Sequence, residues 1–247
     1  MKKCLLIFSI LFISSIKSFA LTKMEADSAY AKAHYEDAVS VYEQLLKKGS
    51  DEVLYYNLGN SYYRLNNIPK AILNYERALV LDPGDSDIRF NLALARSKNI
   101  DKIPEEGEMF FLTWFHSLVN TMSVDGWGNC ALGCFMVALL LLSIYFFTHR
   151  VGLRKIGFFG ALIMFMIVLL SNIFAYRQKQ QLLNRNEAII MNTVKIKSTP
   201  NESGTDLFIL HEGTKVKIID NSLRDWKEVS IAGGKEGWMP AHLMEII

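Results

Sequence analysis

Two long apolar runs without a charged residue constrain this chain more than any other feature. They span residues 126–148 and 156–176 and contain no Asp, Glu, Lys or Arg. Each run is long enough to cross the roughly 30 Å hydrocarbon core of a bilayer as an α-helix. A helix also satisfies its own backbone hydrogen bonds where no water is present. The sequence therefore predicts two transmembrane helices, joined by a short loop at residues 149–155.

The N-terminal segment is typical of a secretory signal. Lys2 and Lys3 precede an apolar stretch, and the small residues Ser18 and Ala20 stand where a signal peptidase cleaves. We predict a signal peptide at residues 1–20, with an uncleaved anchor as the alternative. Either form places the residues that follow outside the cytoplasm.

The two apolar runs then return the C-terminus to the same extracytoplasmic side. The connecting loop carries Arg150, Arg154 and Lys155, which the positive-inside rule places in the cytoplasm. Arg177 and Lys179 follow the second run and argue for the opposite orientation. The orientation that the signal peptide implies is preferred. We therefore predict that the loop at 149–155 is cytoplasmic and that the N-terminal and C-terminal domains are both extracytoplasmic.

Composition excludes several classes of function. The chain has 27 Lys and Arg against 25 Asp and Glu, and the domains outside the signal and the span flanks are mildly acidic. No basic surface for nucleic acid is therefore expected. Cys130 and Cys134 lie in the first apolar run, where small packing groups are more usual than a metal or redox pair. Because phosphate-loop, dinucleotide, zinc-protease and nucleophile-elbow motifs are absent from the sequence, we expect no enzyme, no cofactor and no metal site.

Residues 109–123, just before the first apolar run, predict an amphipathic helix. Phe111, Trp114, Phe115 and Leu118 recur at helical spacing, with polar residues between them. Aromatic residues beside a span are typical of a helix that lies in the membrane interface. A helix packed on the protein's own surface is the alternative.

Residues 52–85 contain two helical patterns separated by a short polar turn. The residues that share a face are Tyr55, Leu58, Gly59, Tyr62 and Leu65, and then Ala71, Ile72, Tyr75, Ala78 and Leu79. The small Gly59 and Ala71 permit two helices to approach closely. With "YNLGNSYY", "AILNYERAL" and "LDP" at the family's spacing, the segment resembles a tetratricopeptide repeat. The resemblance implies an all-α domain of helical repeats, which we place at residues 21–102.

A weaker copy of the repeat precedes this segment. Ala38, Tyr42 and Leu45 lie 33 residues before Ala71, Tyr75 and Ala78, and "DSDIRFNLALARSKN" predicts a closing fifth helix. Two repeats and a closing helix bury little surface between neighbours. We therefore expect this domain to dock on another protein or to be extended by one.

The resemblance also implies a peptide-binding groove lined by the first helix of each pair. Candidate protein-binding residues in this groove are Tyr56, Asn57, Asn60, Tyr63, Arg64 and Arg89. Asn57, Asn60 and Arg89 match only parts of the family's carboxylate clamp, so a ligand with a C-terminal carboxylate is not indicated. The alternative is that these side chains only solvate the groove.

From residue 188 the apolar period changes to two, which indicates strands. Five short strands are expected in residues 188–247, as a compact all-β barrel. The segments "VKIKSTP", "LHEGTKVKII", "WKEVSI" and "GGKEGWMPAHLME" resemble bacterial SH3-like domains. The resemblance implies a domain that binds cell-wall peptides or docks proteins, with Trp226 and Trp238 as candidate surface residues. The alternative is that both tryptophans belong to the core.

The order of segments predicts a multidomain membrane protein. Together with "FNLALAR", "SVDGW" and "SGTDLFILHEGTKVKIID" it resembles the E-type branch of the aerotolerance-operon (Bat) family. The resemblance implies a multi-pass inner-membrane (plasma-membrane) protein with periplasmic domains, whose partners are von Willebrand-type Bat proteins and a MoxR-type ATPase in stress tolerance. We expect a protein-interaction scaffold in the lipid bilayer, with a peptidoglycan-binding envelope sensor as the alternative. A transporter subunit is disfavoured, because the spans carry no ionisable side chain of the kind that transport needs.

Overall fold

The structure is a computed structural model that describes residues 23–103, 109–183 and 186–247. The predicted signal peptide lies outside the described residues. The chain divides into two compact units. Of the described residues, the first unit, called the repeat–sheet unit below, comprises 23–79, 86–103 and 186–247, and the second, the hairpin unit, comprises 80–85 and 109–183.

Five helices follow one another in the N-terminal part of the chain. They are α1 (residues 23–31), α2 (Tyr35–Leu46), α3 (Glu52–Arg64), α4 (Ile68–Leu81) and α5 (Ser86–Arg96). Asp51 caps α3, because its side chain accepts a hydrogen bond of 2.8 Å from the Leu54 N–H. The predicted apolar faces of α3 and α4 are confirmed, since Leu58, Gly59 and Tyr62 are buried against a core that includes Ala71, Ile72, Tyr75 and Ala78.

The predicted weaker repeat is also a helix pair. Ala38, Tyr42 and Leu45 of α2 are buried, and the Tyr42 hydroxyl donates a hydrogen bond of 2.6 Å to Asp27 Oδ1 on α1. The turn inside each pair contains one residue with left-handed backbone geometry. This residue is Ala33, with φ 61°, in the first pair and Asn66, with φ 60°, in the second. These residues lie 33 positions apart, so the repeat extends to the turn geometry.

Seven antiparallel strands form the C-terminal sheet. They are β1 (Glu187–Ile190), β2 (Val194–Lys197), β3 (Asp206–Leu210), β4 (Lys215–Asp220), β5 (Trp226–Ser230), β6 (Glu236–Pro240) and β7 (Met244–Ile246). Their order is β3-β2-β6-β5-β4-β1-β7, with a short 3-10 helix, Ala241–Leu243, before β7. All five predicted strands are present, but the expected closed barrel is not seen, because no pairing joins β3 to β7 within the described residues.

The prediction of five strands missed β1 and β7. β1 lacks the alternation that identified the others, because Ala188, Ile189 and Ile190 are all buried. Ala188 and Ile190 pack in the core of the sheet, whereas Ile189 packs in the core of the helices. A strand covered on both faces has no polar face, so its sequence shows no period of two.

The sheet packs on α4 and on the segment after α5, within the repeat–sheet unit. Ile189, Met191 and Ile247 join the helical core. The Arg77 guanidinium on α4 donates a hydrogen bond of 2.6 Å to the carbonyl of Ile246. Asn99 Nδ2 donates to the carbonyl of Gly213 at 2.8 Å. The sheet of the same chain therefore covers part of α4 and the end of α5, and the docking of another protein on the repeats stays a prediction.

The hairpin unit contains three helices: α6 (Phe110–Val119), α7 (Val124–Phe147) and α8 (Val151–Leu183). The segments Val124–Phe147 and Val151–Gln180 are long and apolar enough to cross a membrane. They pack antiparallel, with ring contacts between Trp127 and Phe174 and between Phe135 and Phe165.

One predicted boundary in this unit does not coincide with a helix end. α8 begins at Val151 and so includes Arg154 and Lys155 of the segment 149–155, whose cytoplasmic position stays a prediction. The apolar pattern marks the part of a helix that fits the hydrocarbon core, and charged residues beyond that part do not end a helix.

Candidate protein-binding groove

Four helices of the repeat–sheet unit line a cavity of about 170 Å³. α1 and α3 are the first helices of the two pairs, α5 is the closing helix, and α4 adds one side chain. The lining residues are Tyr30 from α1, Asn60, Tyr63 and Arg64 from α3, Tyr75 from α4, and Asn91 and Leu94 from α5. The cavity therefore combines aromatic, amide and cationic groups, and we call it the groove.

A polar network holds the floor of the groove. The Tyr75 hydroxyl donates to Asn60 Oδ1 at 2.8 Å, and Asn91 Nδ2 donates to the same oxygen at 3.0 Å. Asn91 Nδ2 also donates to the Tyr56 hydroxyl at 2.9 Å. Burial raises the pKa of Tyr75, so its hydroxyl remains a protonated donor at neutral pH. The Asn60 NH2 group takes no part in this network, which suits it to donate to a ligand.

Two cationic side chains stand over tyrosine rings beside the groove. The Lys98 Nζ lies 4.2 Å from the ring centroid of Tyr63, and the Arg64 guanidinium lies 5.6 Å from that of Tyr35. Burial raises the pKa of Tyr30, although nearby Arg64 opposes the shift. This rim is therefore positive, and its rings are held in place by cation–π contacts.

The structure brings only some of the predicted groove residues together. Asn60, Tyr63 and Arg64 line the cavity, and Tyr56 borders it through its hydrogen bond to Asn91. Asn57 instead turns toward α1, where its Nδ2 donates to Asp27 Oδ1 at 3.4 Å.

Arg89 is exposed on α5 and is not among the residues that line the cavity. It lies 34 residues after Tyr55, which faces away from the groove, so α5 turns Arg89 to that same side. The same spacing relates Asn91 to Asn57, Leu94 to Asn60 and Lys98 to Arg64. A comparison of the closing helix with α3 at this spacing would have predicted Asn91, Leu94 and Lys98 in place of Arg89.

A second cavity, of about 310 Å³, lies on the side of α3 that Tyr55 faces. Its lining residues are Glu43, Leu46 and Lys47 from α2, Tyr55, Leu58 and Tyr62 from α3, Lys70, Leu73, Asn74 and Arg77 from α4, and Glu245 from β7. Several of its polar groups already bond to each other: Tyr62 donates to Glu43, and Arg77 pairs with Glu245 at 3.9 Å. These internal pairs make it a poorer candidate for a ligand than the groove.

The two tryptophans of the sheet lie on its outer face. Trp226 stands opposite Pro240 and Trp238 opposite Glu228, so their side chains share one face of β5 and β6. The core of the sheet includes Val229 and Met239, which point to the other face. Both tryptophans are half-buried and neither belongs to the core cluster.

One segment of the chain matches a known family model. A family model for the tetratricopeptide repeat matches residues 53–85. This match covers α3, α4 and the turn before α5, and the pair α3–α4 is a repeat of this class. Tetratricopeptide repeats generally mediate protein–protein interactions. No curated protein sequence matches the chain.

Proposed function

We propose that this protein is a membrane-anchored scaffold that binds an extended segment of a partner protein in the groove. The observation that carries the proposal is the groove itself, an open cavity to which α1, α3 and α5 each contribute. An extended segment needs amide partners for its backbone and rigid surfaces for its side chains. Asn60 supplies the first, and Tyr30, Tyr63 and Leu94 supply the second.

The charges at the rim favour a partner segment with an acidic side chain. Arg64 and Lys98, which occupy corresponding positions of α3 and the segment after α5 at the 34-residue spacing, stand over the rings of Tyr35 and Tyr63. An acidic group placed between them would be attracted by both, and the effect would weaken as salt is added.

The packing of the sheet on α4 supports one orientation for both ends of the chain. The repeats and the sheet contact each other, which favours a position for both on one side of any membrane that the α7–α8 pair crosses. Two spans satisfy this condition, because the second returns the chain to the side from which the first departed. The proposed secretory signal at residues 1–20 would make that side extracytoplasmic, with the scaffold facing the periplasm.

The finer assignment rests on the family resemblance of the sequence. It proposes an inner-membrane protein of the E-type Bat branch, with von Willebrand-type Bat proteins and a MoxR-type ATPase as partners in stress tolerance. It also proposes that the C-terminal sheet is an SH3-like domain. The order of the repeats, apolar helices and sheet along the chain supports this assignment.

A pull-down with matched variants tests the groove. We expect Tyr63→Ala and Leu94→Ala to reduce recovery of partner proteins crosslinked to the full-length chain in membranes. Arg89→Ala, which changes a helix residue outside the cavity, serves as the control and should recover partners as the wild type does. Recovery equal to that of the wild type by all three variants would show that the groove does not bind the partner.

The outer face of β5 and β6 supports a second candidate, an envelope sensor that binds peptidoglycan. Trp226 and Trp238 are adjacent there and lie outside the core cluster. Co-sedimentation of the detergent-solubilised chain with purified cell wall tests this candidate. Binding that is lost in Trp226→Ala and Trp238→Ala would support it, and a chain that stays in the supernatant would rule it out.

A further inference from the structure

Helix α6 divides its surface into three parts that face different surroundings. Counting about 100° per residue, Phe110, Phe111, Trp114 and Leu118 fall within one third of the circumference. Leu112, Phe115 and Val119 follow in the next third. The polar side chains Thr113, His116 and Ser117 occupy the remainder, where Ser117 lies about 20° from Phe110 and His116 lies opposite the stripe.

The second of these sectors fastens α6 to the α7–α8 pair. Val119 is buried together with Trp127 and Phe174, and Phe115 packs against the same cluster. The Trp127 Nε1–H donates a hydrogen bond of 2.9 Å to the Val119 carbonyl. Gln178 on α8 donates one of 2.8 Å to the carbonyl of Met122, just after α6. The start of α7 and the end of α8 therefore both contact α6 or the residues just after it.

The first sector is apolar but exposed. Phe110 is 86% exposed and Trp114 is 69% exposed, and Phe111 and Leu118 are also exposed. A contiguous apolar stripe of this kind indicates a contact surface. The surfaces of α7 and α8, to which α6 is fastened, are themselves mostly exposed and apolar. The stripe therefore belongs to a helix that packs on two helices whose own surfaces are exposed and apolar.

We propose that the stripe formed by Phe110, Phe111, Trp114 and Leu118 lies in the lipid bilayer, at the boundary between headgroups and acyl chains. The polar sector then faces water, and the Phe115–Val119 sector faces the spans. α6 contains no Asp, Glu, Lys or Arg, so apolar burial drives the contact and neutral lipids suffice. This inference rests on the proposed membrane anchorage.

Spin-label accessibility in bilayers tests it. The full-length chain, with its three natural cysteines replaced by serine, is reconstituted into vesicles of neutral phosphatidylcholine. Single cysteines are introduced as Trp114→Cys and Phe110→Cys in the stripe, His116→Cys in the polar sector and Leu140→Cys within α7. Oxygen concentrates in lipid and a nickel chelate in water, so their relative collision rates with each label give its depth.

We expect the labels at positions 110 and 114 to collide mainly with oxygen and the label at 116 mainly with nickel, a difference of several-fold in their ratio. The label at 140 should be the deepest. If 140 is deep while 110, 114 and 116 behave alike and collide with nickel, the inference is wrong and the anchorage stands. If neither reagent reaches 110 and 114, protein covers the stripe and the inference is also wrong. If 140 itself collides mainly with nickel, the anchorage fails and the inference with it.

Discussion

Lys215 Nζ lies 3.2 Å from Glu76 Oε2, although 139 residues separate the two in sequence. Glu76 belongs to α4 and its side chain is 4% exposed, and Lys215 begins β4. Arg96 on α5 pairs with the same carboxylate, and Glu187 on β1 pairs with Lys215 at 2.7 Å. Burial lowers the pKa of Lys215, but the carboxylates of Glu76 and Glu187 outweigh it and the pKa is raised. This ion-pair network links the helices to the sheet inside one unit.

Removing the Lys215 charge should destabilise both parts of that unit. We expect Lys215→Met to lower the free energy of unfolding by about 1–3 kcal/mol, which is less than for a fully buried pair because Arg96 still neutralises Glu76. Lys217→Met changes an exposed lysine on the same strand and should cost less than about 0.5 kcal/mol. Denaturant unfolding of the full-length chain in detergent measures both. Equal effects of the two variants would mean that the network contributes nothing.

Asp101 lies after α5, where this segment contacts the sheet, and it makes the stability of this contact depend on pH. Its carboxylate accepts hydrogen bonds of 2.7 Å from the His211 N–H and the Thr214 hydroxyl, and lies 2.7 Å from His211 Nδ1. Burial raises the pKa of Asp101, but these hydrogen bonds outweigh it and the pKa is lowered below its usual value.

A carboxylate with a lowered pKa stabilises the fold above its unfolded pKa of about 3.9, and this contribution is lost as the pH falls through the folded pKa. We therefore expect the stability difference between wild type and Asp101→Asn to shrink as the pH falls below about 4. Asp225→Asn, at an exposed site of the sheet, serves as the control. A difference that stays constant down to pH 3 would show that Asp101 is not ionised in this role.

Gly59 sets how closely α3 and α4 approach. A Cβ at this position would lie 2.7 Å from two ring carbons of Tyr75, inside the buried core. We expect Gly59→Ala to lower the melting temperature, because overpacking costs about 1–3 kcal/mol and exceeds the gain in helix propensity. Gly49→Ala has open space around its Cβ and should be neutral. A Gly59→Ala variant as stable as the wild type would contradict the close packing.

Gly157 has the corresponding role in the hairpin unit. Its Cβ would lie 2.7 Å from the Leu141 carbonyl oxygen and 2.9 Å from the Tyr145 nitrogen, so the two backbones touch there. We expect Gly157→Val to separate α7 from α8 and to reduce disulfide crosslinking between cysteines placed at Phe135 and Phe165. Gly133→Val, at an open position of α7, should crosslink as the parent does.

The repeats could be predicted from sequence because their signals are local. Gly59, Tyr75 and the 33-residue spacing back to Ala38 all describe one helix pair and its neighbour. The apolar helices were equally clear, since length and lack of charge suffice to identify them. Their ends were less clear, and Val151 shows that a helix continues past its apolar part.

The junction between helices and sheet could not be predicted. Ile189 is apolar because it packs on the helices, and this burial removed the alternation that would have identified β1. Glu76, which pairs with Lys215, and the partners of Asp101 lie more than 100 residues from them in sequence, beyond two apolar helices. No local pattern in the sequence indicates which residues such a contact joins.

We expect the repeats and the sheet to unfold as one cooperative unit. Native-state hydrogen exchange tests this claim most directly. Amide exchange in peptides from α4 and from β4 is followed by mass spectrometry on the full-length chain in bilayer discs. If the two parts unfold together, the slowest amides of both peptides open with the same free energy, and Lys215→Met lowers both by the same amount. If β4 opens with a much smaller free energy than α4, or if Lys215→Met affects β4 alone, the sheet is a separate module and the claim is wrong.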